Sequence, residues 1–406
     1  MAHVRPFRGV RPRSDLAGAV IAPPYDVLDR AEARAILADN PRSFLAVTRA
    51  DATLPDDVDD HGPRVYAQAR ANLDALMADG TLVQDDTPCF YLYRQTWQGR
   101  TQVGLMAVCS VEEYDEGTIK KHELTRPTKE QDRVDHIDAL DAQTGLVFLA
   151  FRDQYDDVRA ALAEARALTP DWSVTTDDAV EHALTVVSDP ALVERLQAAF
   201  RGVDALYIAD GHHRSAAASR IHAARAGAGT SGWFLAGIFP DSELEVLAYN
   251  RVVADLRGDD LGAFLEKLDP IYSRSITAEP LPPEPGTLTV YVDDHWELLR
   301  PRDGVVPADD PVGCLDVAVL QDRVLSPLLG IENPRTDTRI KFVGGIRGPE
   351  ALEAAVESGA WAIAFHMYPT SMAQLFAVAD ADRLMPPKST WFEPKLRGGV
   401  VLHRLV

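Results

Sequence analysis

The sequence predicts a mixed α/β protein, in which helices and strands alternate along the whole chain. Short apolar runs rich in β-branched and aromatic residues recur throughout, as in the strands of a sheet. Alanine-rich stretches with helical spacing lie between these runs. No internal repeat and no low-complexity tract interrupts the order, which argues for a folded α/β or α+β architecture.

The N-terminal part is predicted to open on a strand in "VIAPPYDV", whose two prolines fix extended backbone and hold Tyr25 and Asp26 in a rigid loop. A helix is predicted from Asp29 to about Asn40, with a strand after it in "SFLAVTR". Helical spacing returns in "RVYAQARANLDALMADG", which ends at Gly80. Two alternating aromatic runs, "CFYLYRQTW" and "TQVGLMAVCSVEEY", predict a β-hairpin around "QGR".

The rest of the chain continues the same alternation. The predicted strands are "GLVFLAF", one strand within "SVTTDDAVEHALTVVSD", "ALYIAD", "WFLAGIFP", "LEVLAYNRVVADL", a hairpin in "TLTVYVDDHWELLR", "IKFVGG" and "AWAIAFHM". The predicted helices are "DDVRAALAEARAL", "PALVERLQAAFRG", "SAAASRIHAARAG", "LGAFLEKL", "LDVAVLQDRVLSPLLG", "EALEAAVESG" and "SMAQLFAVADADRLM". The Pro-rich "AEPLPPEPG" predicts a surface linker.

A chain of 406 residues is too long for one simple core, so two or three domains are expected. We predict an N-terminal α/β region over residues 1–115, a core over 116–277 and a C-terminal α/β region over 278–406. The core would carry the motifs "HELT" and "DGHHR", and the C-terminal region would close the site with its "PKST" tail.

The charge balance narrows the partners, because 62 acidic residues face 41 basic ones and the formal charge is −21. This excess disfavours nucleic acid and anionic lipid, so an anionic ligand needs a local basic pocket. The three cysteines have no CxxC spacing, which fits a reducing cytoplasm better than disulfides or a cysteine zinc site. Neither a signal peptide nor a stretch of roughly 20 apolar residues is seen. We expect a cytoplasmic protein without a membrane partner, and the oligomeric state stays open.

The stretch "YIADGHHRSAAASRI" places an acid, a glycine, two histidines and an arginine between a predicted strand and a predicted helix. After Asp210, Gly211 allows a sharp turn and a close approach of the backbone to a ligand. His212, His213 and Arg214 then lie at the helix start, where free N–H groups and the helix dipole favour anions. An arginine can also grip a phosphate with two parallel hydrogen bonds. The pattern favours a phosphate site without a Walker-type sequence.

Two other interpretations of this stretch stay open. A metal site would need Asp210, His212 and His213 to converge on one ion, whereas adjacent histidines at a helix start point in different directions, unlike the pair in "HExxH". Alternatively, the stretch is a capped helix whose histidines satisfy buried backbone groups.

A basic island, Gly117–Arg133, interrupts the acidic chain with the sequence "GTIKKHELTRPTKEQDR". Within it, Glu123 lies among cations such as Arg126, so we expect it to stay ionised and to accept a proton from a hydroxyl or hold Mg²⁺. A charged surface helix starting at Pro127 is the alternative. That alternative explains His122 and Glu123 less well, because both precede the helix.

Two further segments carry candidate residues. Near the end, "MPPKSTWFEPKLRGG" offers one cation and two hydroxyls in Lys388, Ser389 and Thr390, a common way to bind phosphate oxygens, and an ordinary loop is the alternative. In "APPYDV", Tyr25 and Asp26 lie on a rigid loop, where structural packing is at least as good an explanation.

The stretches "PFRGVRP", "APPYDV", "HELT", "DGHHR", "YNRVV" and "PKSTWFEPKL" together resemble a widespread bacterial family known only as a conserved domain of unknown function. More distantly, "DGHHR" and the tail resemble the free-serine kinases of the ParB/sulfiredoxin superfamily. In those enzymes a DGHHR loop binds the nucleotide phosphates, a glutamate in a short "HE" segment is the base, and a "PKTT" stretch lies at the site. This likeness implies a ParB/sulfiredoxin-like catalytic core with additional N-terminal and C-terminal α/β elements.

The resemblance implies a kinase that transfers phosphoryl from ATP or ADP to free L-serine or a similar amino acid, with Mg²⁺ held at Asp210. Catalytic roles fall on Glu123, Asp210 and His212. Nucleotide or phosphate binding falls on Gly211, His213, Arg214, Lys388, Ser389 and Thr390. Apart from the resemblance, the sequence patterns described above leave His122, Arg126, Asp26 and Tyr25 as further candidates.

The sequence differs from the small kinases in two respects. The gap between "HE" and "DGHHR" is much longer here, and the first hundred or so residues have no counterpart, so "APPYDV" inherits no role. A metal-dependent phosphohydrolase using Asp210, His212 and His213, and a ParB-like nucleotide-binding switch without catalysis, stay open as alternatives.

Overall fold

The computed structural model describes residues 2–405, and the chain divides into two compact units. The first unit runs to Leu244 and takes up the chain again at Pro394, and the second unit is Glu245–Glu393. Helices and strands alternate in both units, so the predicted mixed α/β class is confirmed. The predicted division into three domains, over residues 1–115, 116–277 and 278–406, stays a prediction.

The first unit comprises the chain up to Leu244 together with the tail from Pro394, and it holds the longest strands. Its strands are β1 (Val4–Arg5), β2 (Val10–Pro12), β3 (Leu82–Gln84), β4 (Phe90–Trp97), β5 (Arg100–Ser110), β6 (Ile119–Lys120), β7 (Ala142–Gln143), β8 (Val147–Phe151), β9 (Trp172–Thr175), β10 (Glu181–Val187), β11 (Leu206–Asp210) and β12 (Trp233–Pro240). Its helices are α1 (Ala17–Val20), α2 (Arg30–Asp39), α3 (Leu45–Thr48), α4 (Pro63–Ala78), α5 (Val111–Glu116), α6 (Pro127–Leu140), α7 (Asp156–Arg166), α8 (Pro190–Phe200) and α9 (His212–Ala224).

The second unit continues with shorter helices. Its strands are β13 (Glu245–Leu247), β14 (Tyr249–Val253), β15 (Tyr272–Thr277), β16 (Leu288–Val292), β17 (His295–Pro301), β18 (Ile340–Gly344), β19 (Ile363–Met367) and β20 (Trp391–Glu393). Its helices are α10 (Leu261–Leu268), α11 (Asp316–Leu320), α12 (Glu350–Glu357) and α13 (Met372–Asp380). The tail, which belongs to the first unit, adds β21 (His403–Arg404).

A mixed nine-stranded sheet forms the centre of the first unit, in the order β6-β11-β8-β12-β5-β4-β10-β9, with β1 pairing beside β5. The pairs β6–β11 and β8–β12 are parallel, and β11 runs antiparallel to β8. Strands β8 and β12 are buried along almost their whole length, which explains why they read as unbroken apolar runs. The sheet thereby places the carboxyl end of β11, where the DGHHR motif begins, one strand from an edge.

Three local predictions in the first unit are wrong. The "VIAPPYDV" stretch is not a strand, because α1 ends at Val20 and only Ala22 forms an isolated bridge, to Gly398. The "SFLAVTR" stretch forms the short helix α3, and "SVTTDDAVEHALTVVSD" forms the two strands β9 and β10 rather than one. Over four or five residues an apolar run fits a buried helical turn as well as a strand, so periodicity does not separate them.

Other local predictions are confirmed. Helix α2 begins after Asp29, whose side chain accepts from the Glu32 amide in a capping box. The β4–β5 hairpin turns through Gln98 and Gly99, both at positive φ. Strand β11 is followed by α9, the strand–motif–helix order on which the candidate site depends.

The second unit is built on an antiparallel six-stranded sheet in the order β15-β17-β16-β19-β14-β18. Helix α12 covers part of this sheet through Leu352, which packs in a cluster with Tyr291, Trp296, Val252 and Ala364. A separate two-stranded ribbon pairs β13 with β20. Among residues 2–405 of both units, no helix combines the length and apolar character needed to cross a membrane.

Burial of several histidines predicts a pH-dependent stability. Burial lowers the pKa of five of them to about 4, and these are His122, His136, His182, His366 and His403. A histidine in the unfolded chain titrates near 6.5, so between about pH 6.5 and pH 4 the unfolded chain binds more protons. The stabilisation is therefore complete above pH 6.5 and is lost as the pH falls toward 4.

We expect the urea midpoint of unfolding to be lower at pH 5.0 than at pH 7.5, measured by circular dichroism. A His136→Gln variant should show a weaker dependence over the same window. A midpoint that stays constant or rises between pH 7.5 and pH 5.0 would contradict this prediction.

Candidate functional site

The DGHHR loop is shaped by a bulge and a glycine. The pairing of β11 with β8 shifts register between Ile208 and Asp210, which re-aims the side chains at the end of the strand. Gly211 follows at φ 98°, and a Cβ there would lie 3.3 Å from the Val147 Cα. A side chain at Gly211 would therefore be strained, as the sequence predicted, and α9 begins directly after it at His212.

Asp210 is held as an ion by two partners. Its Oδ1 accepts from the Gly211 amide at 2.7 Å, and its Oδ2 accepts from the Lys395 ammonium at 3.1 Å. Partial burial by itself would raise the pKa of Asp210, but the Lys395 and Arg214 cations outweigh it and hold the pKa below its ordinary value. Sequence reasoning missed Lys395, although the second Pro-Lys pair in "FEPKL" was a signal for it.

The two histidines of the loop bind the backbone of the HELT segment. The His122 amide donates to His212 Nε2 at 3.5 Å, and the Arg126 amide donates to His213 Nε2 at 2.9 Å. The rings of His122 and His212 also meet edge to face at 4.6 Å. Burial, reinforced by the neighbouring His122, lowers the pKa of His212, so this ring is neutral and can accept. The structure therefore brings the two predicted motifs together.

Glu123 takes its position from this contact. It directly follows the buried His122, so its Cα lies about 3.8 Å from that of the residue packed on His212. The side chain of Glu123 is partly exposed, whereas that of Arg126 is exposed at the start of α6. The "HE" pair and the DGHHR loop are thus neighbours in the first unit.

Tyr25 from the APPYDV loop also lies at the site. Its ring faces the Arg133 guanidinium at 4.0 Å and the Arg214 guanidinium at 5.8 Å. Arg214 is held in turn by a hydrogen bond from Nη1 to the Leu146 carbonyl. Stacking of a cation on an aromatic ring is worth about 0.5–2 kcal/mol, so Tyr25 links the first hundred residues to the DGHHR loop.

Two cavities of the first unit border this ring. One, of about 50 Å³, lies between Tyr25, Gly145, Arg214 and the tail residue Arg397. The other, of about 200 Å³, lies between the APPYDV loop and helices α3, α4 and α6. Both are lined by Tyr25 and Arg133, so the cation–aromatic stack separates them.

The tail residues Lys388, Ser389 and Thr390 lie in the second unit, so their meeting with the DGHHR loop stays a prediction. Lys388 has a left-handed backbone with φ 61°, an unusual conformation for a residue with a side chain. Its carbonyl accepts from Arg251 Nη2 at 3.1 Å, and its ammonium lies 5.3 Å from the centre of the Tyr249 ring. Burial lowers the pKa of Arg251 to about 9, which leaves it charged at neutral pH.

Ser389 is tied into its own loop. Its side chain is buried, its hydroxyl donates to the Pro386 carbonyl at 2.6 Å, and its carbonyl accepts from Thr370 Oγ1 at 2.9 Å. The hydroxyl therefore shapes the turn that presents Lys388. A direct contact of Ser389 with phosphate stays a prediction.

The donor atoms around the DGHHR loop restrict which metal ion could bind there. Between residues 2 and 405, no three His, Cys, Asp or Glu side chains are grouped to hold an ion. The Nε2 atoms of His212 and His213 already accept backbone amides, which removes two donors from a transition-metal site. Mg²⁺ binds through one or two carboxylates plus the substrate phosphates, whereas the Asp210 oxygens already accept from the Gly211 amide and the Lys395 ammonium, so a magnesium role for Asp210 stays a prediction.

The fold and the site together define a mixed α/β protein with a DGHHR turn between a strand and a helix. The chain belongs to the family described as protein of unknown function (DUF1015), whose model matches residues 4–318. Among curated proteins, no sequence matches the chain.

Several solved structures are similar over most of the chain. SbnI with a C-terminal truncation from Staphylococcus aureus is 11% identical, covers 72% of this chain and 84% of its own, and has a TM-score of 0.39. A mutant free serine kinase in complex with AMP is 11% identical over 71% of this chain and 86% of its own, with a TM-score of 0.37. A conserved hypothetical protein from Pyrococcus furiosus is 11% identical over 71% and 90%, with a TM-score of 0.34. Similarity at this level carries no functional argument.

Loss of one imidazole should loosen the HELT segment. His213→Ala removes the acceptor of the Arg126 amide, so we expect faster hydrogen–deuterium exchange in peptides covering residues 118–128. His222→Ala, in the last turn of the same helix, is the control and should leave these peptides unchanged. Equal exchange in wild type and His213→Ala would show that the contact does not hold the segment.

Proposed function

We propose that this protein is a phosphotransferase that moves a phosphoryl group from ATP or ADP to the hydroxyl of free L-serine or a similar amino acid. The observation that carries the proposal is the docking of the HELT segment on the two histidines of the DGHHR loop. This contact puts a carboxylate residue, Glu123, beside a helix start suited to anions, which is the pairing that phosphoryl transfer to a hydroxyl needs.

The nucleotide phosphates would bind at the start of α9. This helix has 13 residues, and its first N–H groups follow Gly211, whose positive φ makes the sharp turn into the helix. Arg214 adds a planar cation close to the same turn. His212 and His213 act through the HELT segment, because their Nε2 atoms accept from its backbone amides.

Glu123 would be the general base. The acceptor hydroxyl oxygen forms a bond to the terminal phosphorus, the bond from that phosphorus to the leaving ADP or AMP oxygen breaks, and the hydroxyl proton passes to the Glu123 carboxylate. Lys120 and Lys121 lie close to Glu123 in the chain.

Charge neutralisation would come from several cations. Mg²⁺ would neutralise phosphate charge when bound, and Asp210 is the residue that would hold it. Lys388 and Thr390 from the tail would close over the transferring group, with Ser389 shaping their turn. Positioning and electrostatic stabilisation account for most of the catalysis of phosphoryl transfer, which explains several cations around one carboxylate.

The proposal is tested by product formation. Purified protein given ATP or ADP, Mg²⁺ and L-serine should form O-phosphoserine, detected by mass spectrometry. Glu123→Gln should lower kcat by about 10²- to 10⁴-fold while nucleotide binding persists, because the base acts in the chemical step. Glu116→Gln makes the same change of charge at an exposed position and should keep full activity.

Three outcomes would argue against the kinase. If neither nucleotide is consumed with any amino acid tried, the proposed function is wrong. Nucleotide binding without turnover would favour a non-catalytic switch. Zn, Mn or Fe found by metal analysis, together with hydrolysis of phosphate esters, would favour a phosphohydrolase.

A further inference from the structure

The larger cavity of the first unit has a lining unlike that of an ordinary packing defect. It measures about 200 Å³, and charged side chains make up much of its wall. These are Asp26, Arg49, Asp51, Asp60, Lys129, Asp132 and Arg133. Asp26, Asp60 and Lys129 are exposed, so the cavity opens to solvent and a small polar molecule can enter it.

Several of these charges already have partners. Arg49 donates to both carboxylate oxygens of Asp51 at 3.0 and 2.8 Å, and its Nη1 donates to the Tyr25 and Leu28 carbonyls. Asp60 accepts from Arg30 Nη1 at 2.6 Å. These pairs hold the wall together and leave little capacity for a ligand.

Arg133 is different, because only part of its guanidinium is used. Its Nε and Nη2 both donate to Asp132 Oδ2, at 2.9 and 2.6 Å, while Asp132 Oδ1 accepts from Tyr66 and His61. Among residues 2–405, no side chain or carbonyl accepts from Arg133 Nη1, although the residue is only 9% exposed. Arg133 lines the cavity, and a ligand oxygen there would accept from Nη1 in a charge-assisted hydrogen bond.

Two further groups of the wall have no ion-pair partner in the described part of the chain. Lys129 lies one turn before Arg133 on α6, and Asp26 lies beside Tyr25 on the opposite wall. The charges without an ion-pair partner are therefore Lys129 on α6 and Asp26 on the APPYDV loop, and Arg133, which is paired with Asp132, adds its Nη1.

We propose that this cavity is the acceptor site and that it binds a small zwitterion, an α-amino acid. The ligand carboxylate would accept from Arg133 Nη1 and face Lys129, and its ammonium group would face Asp26. This arrangement would give the APPYDV loop a role in ligand binding. The identification of the cavity as the acceptor site rests on the proposed function. Helix α6 supplies the two cations and starts at Arg126, whose amide bonds to the DGHHR loop, so acceptor and nucleotide sites share one helix.

Titration calorimetry without nucleotide provides the test, with three probes that share one skeleton. L-serine has both charged groups, glycerate lacks the ammonium group and ethanolamine lacks the carboxylate. We expect L-serine to bind about tenfold more tightly than either, since each lost charge-assisted contact costs about 1.4 kcal/mol or more.

Variants then identify which side chain of the cavity binds which charged group of the ligand. Lys129→Gln should weaken L-serine and glycerate about tenfold and leave ethanolamine unchanged, whereas Asp26→Asn should weaken L-serine and ethanolamine and leave glycerate unchanged. Lys341→Gln removes an exposed lysine of the second unit and should bind all three probes as wild type does. Arg133→Gln would leave Asp132 buried without its partner, so the two wall variants decide the question even if that protein does not fold.

The site is wrong if L-serine does not bind, if it binds no more tightly than the two truncated probes, or if both wall variants bind it unchanged. The outcome is separable from that of the kinase. If Lys129→Gln and Asp26→Asn phosphorylate L-serine with unchanged KM, the kinase activity is supported and the assignment of this cavity as the acceptor site is wrong. If L-serine binds here and the variants lower its affinity, but no nucleotide yields O-phosphoserine, the binding site is supported and the proposed kinase activity is wrong.

Discussion

The candidate site depends on the hydrogen bonds from the HELT backbone to the two imidazoles of the DGHHR loop. Each bond requires a ring nitrogen without a proton, and the buried surroundings of His212 keep that ring neutral. Arg214, two residues after His212, instead donates to the Leu146 carbonyl and faces the Tyr25 ring. The same contact fixes the start of α6, and with it the wall of the larger cavity.

Charge around the site is arranged against the overall balance of the chain. The whole sequence carries −21, yet Arg133, Arg214 and Lys395 gather near one loop of the first unit. Asp210 neutralises part of that charge and is itself kept ionised by Lys395. A cluster of cations in an acidic protein concentrates an anion at one place and repels polyanions elsewhere.

Much of the fold could be predicted from local pattern, and the failures have a common cause. The capping box at Asp29, the β4–β5 hairpin and the strand–turn–helix order at Gly211 are all specified within a few residues. The short helix α3 was mistaken for a strand, because its identity depends on burial against distant side chains. Within the candidate site, the motifs indicated the histidines and Glu123, whose roles stay predictions, whereas Lys395 was missed because 185 residues separate it from Asp210.

The sequence by itself determined the α/β class, the turn at Gly211 and the identity of the residue types that could bind phosphate, since spacing and side-chain chemistry are local properties. Only the tertiary structure decided what these residues contact. It assigned the imidazoles to the HELT backbone, stacked Tyr25 on Arg133 and Arg214, and left Arg133 Nη1 facing a polar cavity. Such contacts join residues about 90 to 190 positions apart, and they form only when the sheet and its helices pack together.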